Sequence, residues 1–208
     1  AIVMDGTCVV VSPLISLMKD QVEALRANGI PAEALNSTND FNAETVIRRR
    51  CLAGDIKLLY ISPERLLVEI PYLLKSMRIS LFAIDEAHCI SQWGHDFRPE
   101  YTQLTAIREE FPTVPIMALT ATADKITRSD ILRQLSLIEP VEFVSSFDRP
   151  NLSLTVKRNY TTKEKLNYIL NFIKARPLEA GIVYCLSRKN TEKVAEFLRT
   201  NGVKASIY

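Results

Sequence analysis

The 208 residues carry 47% hydrophobic and 24% charged side chains, a balance that excludes a disordered, collagenous or low-complexity chain and fits one or two globular domains. A formal net charge of +2 permits nucleic-acid binding without selecting it, so such a role must come from local placement of Arg and Lys. No apolar stretch has membrane-spanning length and no secretory signal is present, which predicts an intracellular protein, in cytoplasm or nucleoid if bacterial, with no membrane partner.

In chain order, short β-branched or apolar runs recur at Cys8 to Val11, Ile56 to Ile61, Leu81 to Ile84, Ile116 to Leu119, Val141 to Val144 and Gly181 to Cys185. Helical patterns separate them, and the alternation predicts an α/β fold, a parallel sheet with helices on both faces. After the first run, Ile15, Met18, Val22 and Leu25 fall on one helical face, and Asn28-Gly29 supplies the stop. A second helix is expected over Ala43 to Leu52. It carries Arg48-Arg-Arg50, a basic run that on a helix reads as a solvated face ahead of a DNA contact. Leu104, Ile107 and Phe111 form a stripe closed by Pro112, and Asp124 can cap a helix running through Leu135.

The Arg149-Pro150 step disfavours helix and breaks the pattern, so the lobe boundary is placed between Phe147 and Asp148: residues 1–147 form a first lobe and 148–208 begin a second. In the second, Thr161-x-x-Glu164 is a capping box for a helix bearing Leu166, Ile169, Leu170 and Ile173. A further helix carries Val194, Phe197 and Leu198 and closes at Asn201-Gly202. The four cysteines, Cys8, Cys51, Cys89 and Cys185, lie far apart without C-x-x-C spacing and read as buried thiols of a reducing compartment. A zinc site built from His88, Cys89 and His95 would lack a fourth ligand at recognisable spacing.

The chemistry gathers at Asp85-Glu86-Ala87-His88, directly after the apolar run Ile79 to Ile84. A buried strand ending in two acids delivers the first carboxylate to the carboxyl edge of a parallel sheet, where it can hold Mg²⁺. The second is aimed at the water that attacks a γ-phosphate. Asp85 is then the metal ligand and Glu86 the base, although an acid pair after a strand can also be an exposed loop. Next comes Cys89 to Tyr101, with three aromatics, a histidine and an arginine in a segment interrupted by Gly94 and Pro99. Flat rings stack on unpaired bases for about 1–3 kcal/mol each whatever the sequence, and an arginine can reach phosphate. The bland alternative has Trp93 and Phe97 plugging a core beneath the loop.

At this point the chain resembles the RecQ family of DNA helicases, within the class of two-lobed, RecA-like motor proteins. The residues that carry the resemblance are Val9 to Gln21, Leu59-Tyr-Ile-Ser-Pro-Glu-Arg65, Asp85 to Tyr101, Ala118-Leu-Thr-Ala-Thr-Ala123, Ser146-Phe-Asp-Arg-Pro-Asn151 and Gly181-Ile-Val-Tyr-Cys185. They span nearly the whole chain in the family's order. The acid box running straight into Ser91-Gln-Trp-Gly-His-Asp-Phe-Arg98 is the most specific of them, and looks like the family element that couples single-stranded DNA to ATP turnover.

The resemblance implies an enzyme, an ATP-dependent 3′-to-5′ DNA helicase of repair and recombination, using ATP and Mg²⁺. Its implied partners are single-stranded and partly duplex DNA and other repair proteins such as a single-strand-binding protein. It implies catalytic roles for Glu86, Asp85 and His88, and nucleotide or metal contacts for Asp85, Glu86, Thr120 and Thr122. DNA contacts are implied at Ser12, Pro13, Ser62, Arg65, Trp93, His95, Phe97 and Arg98, and in the second lobe at Tyr184, Ser187 and Arg188. The turns at Ser12-Pro13 and Ser62-Pro63 follow strands, where hydroxyls and helix N-termini suit phosphates, but ordinary helix capping explains the same residues. No Gly-x-x-x-x-Gly-Lys-Ser/Thr occurs in the sequence. The resemblance therefore implies an internal fragment, lacking the first lobe's N-terminal strand and phosphate loop and most of the second lobe. Two other classes stay open: a nucleic-acid-binding relative without turnover, and a metal-dependent hydrolase using Asp85, Glu86 and His88, for which H-E-x-x-H is absent.

Overall fold

A computed structural model describes residues 1–92, 96–145 and 149–208. Its frame is a sheet of five parallel strands, β1 (Thr7–Val11), β2 (Ala32–Leu35), β3 (Leu58–Ile61), β4 (Ile79–Ile84) and β5 (Ile116–Ala118), in the order β2-β3-β1-β4-β5. The central strands are continuous apolar runs because both of their faces are covered. Val9, Val11, Leu59, Ile61, Phe82 and Ile84 belong to one core, and Cys8, Val10, Leu58, Tyr60, Leu81 and Ala83 to the other, the period of two expected of a pleated strand.

The first core is completed by α2 (Phe41–Leu52), α3 (Pro63–Tyr72), α5 (Thr105–Glu110) and α6 (Lys125–Gln134), which contribute Ile47, Leu66, Ile107 and Ile131 among others. The second is closed by α1 (Ile15–Ala27), whose Met18 and Val22 are buried against the opposite face. Helices thus cover both faces of a parallel sheet, as the alternation of patterns predicts. Asp124 caps α6, its side chain accepting from the Thr127 N–H at 2.8 Å, and those bonds hold its carboxyl below the usual aspartate range.

The chain divides into two compact units, Ala1–Phe143 and Val144–Tyr208. The boundary expected between Phe147 and Asp148 falls on residues outside the described set. The second unit contains α7 (Thr162–Lys174) and α8 (Arg188–Thr200). Both halves of the expected capping box are present at α7: Thr161 Oγ1 accepts the Glu164 N–H, and Glu164 accepts the Thr161 N–H at 2.7 Å.

Two expected strands are corrected. Val141 to Val144 and Gly181 to Cys185 form no strand, and Phe143 and Tyr184 are 93% and 91% exposed. β-branched composition marks residues that fit a ladder, but a strand exists only when a neighbour's N–H and C=O groups complete it. In the other direction, β2 was not anticipated. Its Ala-Glu-Ala-Leu carries no β-branched residue, and its Glu33 is buried because Arg26 and Arg50 both pair with it. No described helix is long and apolar enough to cross a membrane.

Candidate functional site

Strand register sets out the site before any side chain is considered. Val11 pairs with Ile61 on one side and Ile84 on the other, and Ile84 pairs with Ala118. The residues just beyond these, Ser62, Ser12, Asp85 and the Leu119-Thr120 step, therefore form a row along the carboxyl edge of the sheet, where open α/β sheets place their ligands. Backbone bonds continue the register past the strand ends: the Asp85 N–H donates to the Val11 carbonyl at 2.9 Å, Ser12 N–H to Ile61 at 3.1 Å and Leu119 N–H to Ile84 at 2.8 Å.

Asp85 directly follows β4 and is half-buried. Its Oδ1 accepts the Glu86 N–H at 3.0 Å and its Oδ2 faces the Ser12 hydroxyl at 3.5 Å. Glu86 adopts a left-handed backbone with φ 48° and ψ 41°, which turns the chain into the short 3₁₀ helix Ala87–Ile90. The Ala87 N–H then donates to the Leu119 carbonyl at 2.9 Å. The acid turn and the segment after β5 are thus joined through both main chain and side chain, since buried His88 Nδ1 lies 3.0 Å from Thr120 Oγ1. Thr120 Oγ1 in turn accepts the Thr122 N–H at 3.2 Å.

The described residues on either side of 93–95 are both held by hydrogen bonds. On one leg, buried Ser91 donates to Asp130 of α6 at 2.7 Å. On the other, the Arg98 N–H returns to the Cys89 carbonyl at 2.9 Å, and its guanidinium reaches the Pro13 carbonyl at 3.4 Å. One turn of helix, α4 (Pro99–Thr102), then buries Tyr101, whose hydroxyl donates to the main-chain carbonyl of Asp85 at 2.9 Å. Burial pushes this phenol far above the ordinary tyrosine range, so it stays a donor. Phe97 is 36% exposed. Trp93 and His95, the other two loop residues expected to meet DNA, lie outside the described residues.

The remaining sequence candidates are placed as follows. Ser12 and Ser62 are buried at the starts of the turns into α1 and α3, and neither side chain caps its helix. Arg65 is engaged within the fold, its guanidinium held by Glu44 at 2.5 Å and by buried Glu69 at 3.0 Å. Arg48 shares the same two carboxylates, and its hydrogen bond to Glu69 raises its already high pKa. In the second unit, Ser187 caps α8 through the Asn190 N–H at 3.3 Å, with Tyr184 and Arg188 exposed beside it. Of the zinc set His88, Cys89 and His95, His95 lies outside the described residues; among those described, His88, Cys89 and Asp96 bring their ligand atoms within 4.8 Å of one another. Burial first, and the Asp96 charge second, push the Cys89 thiol up to about 11, so it stays a protonated donor toward Asp96.

Residues 3–130 match the family model of the DEAD/DEAH box helicases. The chain belongs to that family. Over its whole length this helicase-family chain is 48% identical to the ATP-dependent DNA helicase RecQ of Haemophilus influenzae and 49% identical to that of Pasteurella multocida. It is 44% identical to the RecQ helicase of Bacillus subtilis. It covers 33%, 33% and 35% of these proteins, so it spans about a third of the length of the curated relatives it matches. Among solved structures, helicase Lhr of Mycobacterium smegmatis bound to ssDNA and AMP-PNP superimposes with a TM-score of 0.57 at 18% identity, covering 99% of this chain and 30% of that one. The Pyrococcus furiosus Hef helicase domain does so with a TM-score of 0.51 at 16% identity, covering 96% of this chain and 45% of that one. These likenesses show the fold, the RecA-like α/β sheet of helicase domains.

Two features of this helicase-family site were not legible beforehand. The Ser91–Asp130 bond joins residues 39 apart, and nothing in the spacing of Asp130 marks it as buried. Tyr101 stood in the motif as one more aromatic of the loop, and only the fold shows that its hydroxyl ends on the acid box.

Proposed function

We propose that this chain is the motor segment of an ATP-dependent DNA helicase of RecQ type, coupling ATP hydrolysis to 3′-to-5′ translocation on single-stranded DNA and to unwinding of partly duplex DNA. Residues 1–147 would form the first lobe and 148–208 the start of a second, acting inside the cell beside partners such as a single-strand-binding protein. One observation carries the reading: the acid turn, the segment after β5 and the described residues on both sides of 93–95 share hydrogen bonds, which would tie DNA held there to Asp85 and Glu86. The 48% identity to a RecQ helicase over the whole chain supports it.

The donor set suits Mg²⁺, a hard cation that takes one or two carboxylates and completes its shell with water and phosphate oxygens. Asp85 keeps carboxylate lone pairs beyond those used by Glu86 N–H and Ser12, so Asp85 would hold the metal, which would neutralise charge on the phosphates. Glu86, half-exposed at the edge of the sheet, accepts the proton of the attacking water. His88 stands 3.3 Å from Glu86 and 3.0 Å from Thr120, and transmits the state of that carboxylate to the Thr120–Thr122 segment.

On the DNA side, Ser12, Pro13 and Ser62 offer turns for backbone phosphates, while Trp93, His95, Phe97 and Arg98 would supply stacking and phosphate contacts. Arg65 contributes by anchoring α3, since its guanidinium is already taken by Glu44 and Glu69. Tyr184, Ser187 and Arg188 would meet DNA or nucleotide from the second lobe. The test is ATP hydrolysis by the full-length protein with and without single-stranded DNA. Strong stimulation is expected, and DNA binding without any turnover would replace the motor by a binding module.

A further inference from the structure

Glu86 has a backbone that few side chains choose, φ 48° and ψ 41°. Rotation of the Asp85–Glu86 peptide would relieve it, because such a flip turns ψ of Asp85 and φ of Glu86 together. Both polar groups of that peptide are held. The Glu86 N–H donates to Asp85 Oδ1 at 3.0 Å, and the Asp85 carbonyl accepts the Tyr101 hydroxyl at 2.9 Å. The first hold comes from the carboxylate that the proposed reaction also uses. The second comes from 16 residues away, on a ring that is 0% exposed and packed into the core. Tyr101 is itself fastened to the loop leg, its N–H donating to the Arg98 carbonyl at 3.0 Å while the Arg98 N–H reaches Cys89 at 2.9 Å.

We infer that Tyr101 is a positioning residue: its hydroxyl locks the Asp85–Glu86 peptide, keeps Glu86 in the left-handed conformation that aims its carboxylate, and ties that aim to the C-terminal leg of the aromatic loop. The inference rests on the reading of Glu86 as the base. The lock itself is a property of the fold and can be measured separately from the chemistry.

The test is Tyr101→Phe in the full-length protein, which keeps the ring and removes only the donor. Misplacing a catalytic group by about an ångström can cost around 10²-fold, so kcat for DNA-stimulated ATP hydrolysis is expected to fall by about that factor. KM for ATP and Kd for single-stranded DNA should stay within about twofold of wild type, since neither contact is touched. The Glu86 amide should exchange with deuterium about fivefold faster, the factor that one lost hydrogen bond supplies. An unchanged kcat overturns the positioning role, and so does a lowered melting temperature with kcat and KM shifting together, which would mark the hydroxyl as general support. If wild-type protein shows no DNA-stimulated turnover, the motor reading fails and amide exchange alone judges the lock: faster exchange in Tyr101→Phe upholds it, equal exchange overturns it.

Discussion

His88 Nδ1 lies 3.0 Å from Thr120 Oγ1 and 3.3 Å from Glu86 Oε2, so a single ring nitrogen faces both the proposed base and the hydroxyl beyond β5. Thr120 Oγ1 also accepts the Thr122 N–H, so this one hydroxyl joins the imidazole to the segment beyond β5, with donor and acceptor set by the histidine tautomer. Replacing Thr120 by Val preserves shape and deletes the hydroxyl. The loss of one such bond, about 1 kcal/mol, is expected to lower DNA-stimulated turnover roughly fivefold. Unwinding per ATP consumed should fall further, because the link and not the chemistry is cut. Equal unwinding efficiency in Thr120→Val would remove the hydroxyl from the coupling route.

For Glu86→Gln in the full-length protein, ATP turnover should collapse while ATP and Mg²⁺ still bind. Glutamine keeps the size and the backbone conformation but cannot take a proton, a role worth about 10²–10⁴ in rate. Equilibrium binding of a nucleotide, measured beside steady-state hydrolysis, separates the two effects. Turnover near wild type would free Glu86 from the mechanism.

Much of this architecture could be read from residues alone, and the exceptions share a cause. β1, β3 and β4 are buried on both faces, so their runs are apolar and unmistakable. The acid turn could be placed because strand and acids are adjacent in sequence. β2 escapes the pattern because Ala-Glu-Ala-Leu has no β-branched residue and its buried Glu33 is matched by Arg26 and Arg50, partners that no local pattern announces. The runs at Val141 to Val144 and Gly181 to Cys185 misled for the converse reason: propensity is local, pairing is not. Within the site, residue types were foreseeable, but the commitment of Arg65 to Glu44 and Glu69 depends on α2 and α3 lying side by side.

That commitment gives a stability prediction. Glu69 is 1% exposed and joins two guanidiniums, Arg48 at 2.7 Å and Arg65 at 3.0 Å. Glu69→Ala would leave both half-covered cations short of a partner and open a space beneath α3. The expected cost is about 3 kcal/mol, read as a lower denaturant midpoint at unchanged slope. A loss below about 0.5 kcal/mol would mean the network behaves as a solvent-screened surface cluster.

Thiol chemistry gives the last prediction. Burial pushes Cys51 up to about 12 and Cys89 to about 11, against an ordinary value of 9.0, and raises Cys8 in the same direction. In the fold these thiols stay protonated, whereas in the unfolded chain they ionise from about pH 9 upward. The folded values are raised, so the stability they contribute is intact below pH 9 and is lost as pH climbs through 11 and 12. Buried phenols at Tyr60 and Tyr101 shift the same way, so the alkaline decline should become shallower, not vanish, in a Cys51→Ala, Cys89→Ala double variant. Near neutral pH a soluble disulfide reagent should label Cys185 first, since it is the one cysteine of four that is not buried. Rapid labelling of Cys89 at pH 7 would show that the neck of the aromatic loop opens on that timescale and that its thiol is not sealed against Asp96.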